Sequence, residues 1–359
     1  MTRYDETAAT RAARIRECGE AIVLAIETSC DETAASVIKN GRTVLSNTVY
    51  SQIPIHKKYG GVVPELASRN HALQLTPTAE QALIDAGLTF SDIDAIAVTS
   101  RPGLVGALLT GVSYAKGLAY ALSLPLVGVD HIAGHVAANY LSYPDLAPPF
   151  CCLVASGGHS HLFAIEDYNE FRLLGRTRDD AAGEAFDKVA RALDLPYPGG
   201  PSLEALAREG DPNAISFPAG FNAGPTLDFS FSGLKTAVVN YLHTAKQRGE
   251  TVSRADVAAS FQRSMVETLT NKAVRAAVTG GYKTLALAGG VSANRALTGA
   301  LTEAAEAAGL RFCCPAPEYC TDNAAMIGCA GYYALMDGKR DGLALNAFAR
   351  RAEHDEQTR

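Results

Sequence analysis

An α/β protein built from two related halves is the architecture this sequence predicts, and three observations predict it. Short apolar runs alternate with helix-like stretches along most of the chain. A pattern of strand, tight polar turn, strand, turn, strand occurs twice, which implies an internal duplication. The composition also fits: 359 residues, 47% hydrophobic and 19% charged, suit two lobes that each bury a core. That composition excludes disorder, collagen and a coiled coil. No apolar run reaches the roughly 18 residues that would suggest a membrane span.

The elements follow in order. The first twenty residues, MTRYDETAATRAARIRECGE, are polar and mixed in charge and lack an apolar h-region. They are expected to be an N-terminal extension and not a secretion signal. The first lobe is expected at 21–130. It opens with the strand AIVLAI, the polar turn ETSCDET and a second strand, AASVI. Lys39-Asn40-Gly41 then makes a hairpin turn into TVLSNTV, since Asn-Gly between apolar runs is a strong hairpin signal. Helices are expected over Asn70–Ala86 and Ala107–Leu122, with buried strands at IDAIAVTS and LPLVGVD.

The second lobe is expected at 131–347. CCLVA, the turn-like SGGHS, HLFAI, the break EDYNE and FRLLG repeat the opening design. A helix GEAFDKVARALD, a Pro/Gly break and two further helices follow. The strand KTLALAGG then opens into the helix SANRALTGALTEAAEAAG. A last helix is expected at 322–337 and a polar tail at 348–359. Two related α/β halves argue for a bilobal molecule with a cleft, in which ligands sit at strand ends and helix N-termini.

Charge and cysteines narrow the class. The formal charge of −6, from 32 basic and 38 acidic residues, argues against a non-specific nucleic-acid coat. None of the eight cysteines forms a CxxC pair, so zinc-ribbon and thioredoxin chemistry are excluded. Cys151-Cys152 and Cys313-Cys314 lie in strand-like segments, and the set points to a reducing cytoplasm.

Several motifs carry candidate chemistry. His131-Ile-Ala-Gly-His135 places two imidazoles four residues apart, on one helix face if Asp130 is the N-cap. That spacing can chelate a divalent metal, with a helix-surface histidine pair as the alternative. A zincin would need Glu where Ile132 stands, so metalloprotease chemistry lacks its base. A third ligand must come from elsewhere, and Asp322, opening the last helix, is a candidate. Ser156-Gly157-Gly158 offers backbone N–H groups to a phosphate, or is an ordinary glycine turn.

Ala288-Gly289-Gly290-Val291-Ser292-Ala293-Asn294 joins a buried strand to a helix N-terminus, a favourable place for a nucleotide. It is not a P-loop, since GxxxxGK[ST] occurs nowhere in the chain. Glu27, Asp31 and Glu32 cluster on the first turn, as metal or water holders or as solvated turn residues. Asp187 can reach a ribose hydroxyl or pair with Arg191. Arg172, Arg176 and Arg178, with Lys57-Lys58, can meet a phosphate backbone or form a solvated face.

Taken together, LAIETSCDETAASV, SQIPIHKKYGGVVPELASRNH, PGLVGALLTG, HIAGH, VASGGHSHL, GRTRDDAAGEAFDKVAR, YPGGP, FSFSGLKTAV, LAGGVSANRAL and CTDNAAMIG resemble the tRNA N6-adenosine threonylcarbamoyltransferase family. The likeness is to its bacterial branch, earlier described as O-sialoglycoprotein endopeptidase. The resemblance runs from about Ala21 to Asp341. It implies an actin-like, sugar-kinase-like fold of two ribonuclease-H-like lobes. It also implies transfer of a threonylcarbamoyl group from threonylcarbamoyl-adenylate to N6 of the adenine beside the anticodon, in tRNAs reading codons that begin with A.

Position by position, the resemblance makes His131, His135 and Asp322 the ligands of one divalent metal, Fe(II) or Zn(II). Val154, Ala155, Ser156, Gly157, Gly158, Asp187, Gly200 and Asn294 become the adenylate contacts. Asp31 and Glu32 are candidates for activating or positioning the amine, for which no general base is evident. The implied partners are tRNA, through its anticodon loop, a smaller paralogous actin-like subunit and a P-loop ATPase. The competing enzyme reading is an ATP-dependent kinase or carbamoyltransferase of the same superfamily acting on a small molecule. A nucleotide-switched scaffold is the non-enzyme alternative, and it has no reason to chelate a metal.

Overall fold

A computed structural model describes residues 2–218 and 224–350. The first sheet contains β1 (Ile22–Glu27), β2 (Glu32–Lys39), β3 (Thr43–Ser51), β4 (Ala95–Arg101) and β5 (Leu126–Asp130), in the order β3-β2-β1-β4-β5. The second contains β6 (Phe150–Ala155), β7 (Ser160–Asp167), β8 (Glu170–Arg176), β9 (Thr284–Ala288) and β10 (Arg311–Cys313), in the order β10-β9-β6-β7-β8. Substituting each strand by its counterpart turns one order into the other. In both sheets the first strand pairs antiparallel with the second and parallel with the fourth. The expected duplication is therefore present at the level of strand pairing.

The helices are α1 (Arg3–Cys18), α2 (Ile53–His56), α3 (Pro64–Ala86), α4 (Val105–Leu122), α5 (His131–Ser142), α6 (Ala182–Ala192), α7 (Gly199–Ala207), α8 (Ser232–Arg248), α9 (Arg254–Thr279), α10 (Arg295–Ala307), α11 (Pro317–Cys320) and α12 (Ala324–Met336). Helix α3 starts earlier than the expected Asn70, because Pro64 opens its first turn, where a missing N–H costs nothing. The β2–β3 hairpin turns on Asn40 and Gly41, both with positive φ, as the Asn-Gly pair predicts. A 3-10 turn, Gly290–Ala293, separates β9 from α10, where the sequence suggested direct entry. Helix α4 is 18 residues long and apolar enough to meet the length test for a membrane span. It buries Leu108, Val112, Ala115 and Ala119 in the core of the first sheet.

The chain forms two compact units, but they do not divide at 130/131 as expected. Of the described residues, one takes in those up to Pro148, the short stretch Asp167–Glu170 and those from Pro315 on; the other takes in Pro149–Glu166 and those of Phe171–Cys314. Helices α5 and α12 therefore belong with the first sheet. The reason is the small, apolar surface of α12. Met326, Ile327 and Leu335 share a core with Val23, Ala25, Ala97 and Val127. At Gly328 a Cβ would lie 2.6 Å from Ile38 Cγ1, so only glycine lets α12 lie this close to the sheet.

The N-terminal extension is a helix. Thr2 and Asp5 form a capping box at its start, and Tyr4, Ala8, Ala12 and Ile15 are buried. Tyr4 Oη donates to the Leu124 carbonyl at 3.1 Å, and Tyr332 Oη donates to the Gly19 carbonyl at 2.7 Å. The expected tail lies, beyond Arg350, outside the described residues.

Candidate functional site

The metal-ligand candidates converge within the first unit. Asp130 closes β5 and caps α5, its Oδ1 accepting from Ile132 N at 2.9 Å and Ala133 N at 3.2 Å. The cap fixes the first turn, so His131 and His135 share a face, with ring centroids 4.5 Å apart. Asp322 stands just before Asn323, the residue that caps α12. Its Oδ1 lies 3.4 Å from His131 Nε2 and 3.3 Å from His135 Nε2.

A divalent ion fits these residues. The two imidazoles and the carboxylate each offer a ligand atom, and those atoms lie within 4.8 Å of one another. Donors about 2.1 Å from a tetrahedral ion stand about 3.4 Å apart, close to the two distances from Asp322 Oδ1 to the imidazoles. His135 is fully buried; its Nδ1 has no hydrogen-bond partner, and its Nε2 faces Asp322 Oδ1 at 3.3 Å in poor hydrogen-bond geometry. A buried imidazole so weakly bonded is costly unless something else occupies its lone pair.

The electrostatics set the two imidazoles apart. Burial pushes the His135 imidazolium down, which keeps the ring neutral and able to donate its lone pair. Burial alone would raise Asp322, but the two imidazoles outweigh it and hold the carboxyl well below its usual range. His131 moves the other way: burial opposes its charge, yet Asp322 and Glu27 together raise it well above the ordinary value.

The sequence did not identify the role of Glu27. It ends β1 and is fully buried, not solvated on the turn. Its Oε2 lies 3.0 Å from His131 Nδ1 and accepts from Thr99 Oγ1 at 2.5 Å, while Oε1 accepts from Ser29 N at 2.5 Å. The available signal was a carboxylate closing a wholly apolar strand, a position that burial would forbid to an unpaired acid.

Asp31 and Glu32 lie on the β1–β2 turn and at the start of β2. His71 supports that turn, with Nε2 2.9 Å from the Cys30 carbonyl and Nδ1 2.7 Å from Thr33 Oγ1. Ser51 Oγ donates to Glu32 Oε1 at 2.9 Å. Burial, then the charges of Asp31 and Asp322, push the Glu32 carboxyl up to about 9.

The expected adenylate contacts all lie in the second unit. Val154 and Ala155 end β6, and Ser156-Gly157-Gly158 makes the turn into β7, with both glycines exposed. Gly183 N donates to the Ser156 carbonyl at 3.1 Å. A Cβ at Gly183 would lie 2.7 Å from that oxygen and 2.8 Å from Gly157 Cα, so the start of α6 seats directly against the turn. Asp187 Oδ1 accepts from Gly199 N at 2.8 Å and from Gly200 N at 3.3 Å, fixing the first turn of α7. Asn294 caps α10, accepting from Leu297 N at 3.0 Å and donating to Gln262 Oε1 at 3.0 Å.

The candidate phosphate-backbone residues separate. Arg172 is tied to Glu166 and Tyr282, and Arg178 to Asp228. Lys57 and Lys58 are exposed.

Comparison with known proteins adds the family. The family model described as tRNA N6-adenosine threonylcarbamoyltransferase matches residues 43–329. Curated relatives bearing that name include one from Moorella thermoacetica, 57% identical over 92% of this chain and 96% of its own length. Another, from Clostridium perfringens, is 56% identical over 91% of this chain and 96% of its own.

Among solved structures, HypF from T. kodakarensis aligns with a TM-score of 0.61 at 17% identity, over 88% of this chain and 47% of that one. Component A of (R)-2-hydroxyglutaryl-CoA dehydratase from Acidaminococcus fermentans aligns with a TM-score of 0.54 at 14% identity, over 88% and 99%. At such identities the likeness concerns the fold, which is the actin-like α/β fold expected from the sequence.

Proposed function

The chain belongs to the tRNA N6-adenosine threonylcarbamoyltransferase family, and from that premise we propose how its residues serve the transfer. The enzyme moves a threonylcarbamoyl group from threonylcarbamoyl-adenylate to N6 of the adenine beside the anticodon, in tRNAs reading codons that begin with A. The observation that carries the residue-level reading is the convergence of His131, His135 and Asp322. Two imidazoles and a carboxylate suit Fe(II) first and Zn(II) second. When bound there, a divalent ion supplies Lewis-acid polarisation of carbonyl or phosphate oxygens.

The protein's own groups do the rest. The Ser156-Gly157-Gly158 turn, exposed at its two glycines, offers backbone donors to the departing nucleotide's phosphate, and α6 buttresses it. Asp187 holds the turn containing Gly200 at the start of α7, and Asn294 holds the start of α10, so both are assigned to shaping the nucleotide site. Glu32 keeps its proton to about 9 and is unsuited to accept one from the amine at neutral pH, which leaves Asp31 of the two.

The anticodon loop is assigned to exposed Lys57 and Lys58. Leu73, Val105 and Leu109, exposed on α3 and α4, suit the paralogous actin-like subunit, and a P-loop ATPase completes the expected set. A reducing cytoplasm matches the free thiols of all eight cysteines.

The test is transfer of labelled threonine from preformed threonylcarbamoyl-adenylate to unmodified tRNA, with partner subunits added. Label at the adenine beside the anticodon is the expected product. ATP turnover on a small molecule without tRNA labelling would favour the kinase or carbamoyltransferase reading.

A further inference from the structure

We propose that Glu27 is a positioning residue for His131. It holds the proton on Nδ1 and thereby turns the lone pair of Nε2 toward the metal position. The inference rests on reading His131, His135 and Asp322 as a divalent-metal site.

The geometry is two-sided. His131 Nε2 faces Asp322, while Nδ1 faces Glu27 Oε2 at 3.0 Å and Ser29 Oγ at 3.1 Å. Glu27 is itself immobilised. Its two oxygens accept from the Ser29 amide and the Thr99 hydroxyl, and β1 and β4, which carry Glu27 and Thr99, pair in parallel. A carboxylate accepting from Nδ1–H leaves Nε2 unprotonated, and this is how outer partners of metal-binding histidines set the tautomer and ring orientation.

Glu27 is not itself a fourth ligand on this geometry. It approaches the ring at Nδ1, and the group whose ligand atoms gather within 4.8 Å contains His131, His135 and Asp322 without it. Nor is a purely structural ion pair a sufficient account. Burying a carboxylate beside an imidazole gains little stability over apolar packing, so stability alone is a weak reason for placing Glu27 there. His135 provides the contrast, because its Nδ1 has no hydrogen-bond partner. The two ligands are thus held differently: His131 Nδ1 meets a carboxylate and His135 Nδ1 meets none.

The experiment measures Zn(II) affinity of the full-length chain by competition with a chromophoric chelator, alongside histidine side-chain 15N shifts of the Zn(II)-loaded protein. Wild type is expected to bind Zn(II) and, once Zn(II)-loaded, to show His131 protonated at Nδ1 with Nε2 on the metal. Glu27→Gln is expected to weaken Zn(II) binding about 10- to 100-fold and to lose the single tautomer. Thr99→Val keeps the carboxylate and removes one hydroxyl that aims it, so it should weaken binding in the same direction by less. It also supplies the answer if Glu27→Gln does not fold. Wild-type Zn(II) affinity in both variants, even with a lowered unfolding midpoint, would overturn the positioning role. Wild-type protein that takes up no Zn(II) would overturn the metal reading and this inference with it.

Discussion

His135 Nε2 lies 3.3 Å from Asp322 Oδ1, although one residue sits in the helix after β5 and the other just ahead of the last helix. Two local devices bring them together. Asp130 fixes the first turn of α5, and the glycine-lined surface of α12 lets that helix lie close on the first sheet. Neither device involves the ligands themselves, so the site depends on the packing of the whole first unit.

Gly183→Ala tests the nucleotide side. The added Cβ would meet backbone atoms at Ser156 and Gly157, which cannot rotate away as a side chain would. Overpacking of this kind costs about 1–3 kcal/mol, here spent on displacing the turn. The expected outcome is weaker binding of threonylcarbamoyl-adenylate by at least about 10-fold with Zn(II) affinity unchanged, measured by equilibrium binding.

Glu32 gives a pH dependence. Its carboxyl titrates near 4.5 in an unfolded chain and about 9 in the fold, so between these values the folded protein holds a proton the unfolded one has released. That contribution is complete below the lower value and is lost as pH rises through the upper one. Denaturant midpoints of metal-free protein between about pH 6 and 9 should fall more for wild type than for Glu32→Gln, which carries no titrating group.

Asp179 acts at the opposite end of the scale. It caps α8 from a distant segment, accepting from Phe231 N, Ser232 N and the hydroxyls of Ser230 and Ser232. Burial would raise its carboxyl, but the Ser230 and Ser232 hydrogen bonds prevail and lower it. Asp179→Ala should cost about 1–2 kcal/mol at neutral pH, as loss of a helix cap does. The difference from wild type should shrink as pH falls through the carboxyl's lowered native value, because wild type then loses the same cap.

The N-terminal helix is a stability element. Removing residues 2–19 uncovers the surface that Tyr4 and Ile15 bury and deletes the Gly19 carbonyl that accepts from Tyr332. The expected cost is at least about 3 kcal/mol in the unfolding of the first unit. Transfer activity below the shifted melting temperature should persist, since the helix precedes the residues that match the family.

Much of this architecture was legible locally. Repeated strand patterns foretold two equivalent sheets, the Asn40-Gly41 pair foretold its hairpin, and Asp130 before HIAGH foretold the cap that aligns the histidines. What escaped was set by long-range packing. The last helix looked like part of the second lobe because sequence order gives no hint that Gly328 seats it on β1 and β2. Glu27 looked like a turn residue because its partners, Thr99 and His131, are brought to it only by strand pairing. The helix of residues 3–18 was readable in principle, since Thr2 and Asp5 have capping-box spacing, but its mixed charge concealed a narrow apolar stripe.

The central claim is that a metal held by His131, His135 and Asp322 serves the transfer, and one paired measurement tests it directly. Wild type and His135→Ala, each reconstituted with Fe(II) or Zn(II) under anaerobic conditions, are assayed for metal per chain and for label transferred to unmodified tRNA with the partner subunits. The account predicts about one metal per chain and labelled tRNA for wild type, and loss of both for His135→Ala at an unchanged far-ultraviolet circular dichroism spectrum. Full transfer by a metal-free His135→Ala chain would contradict it.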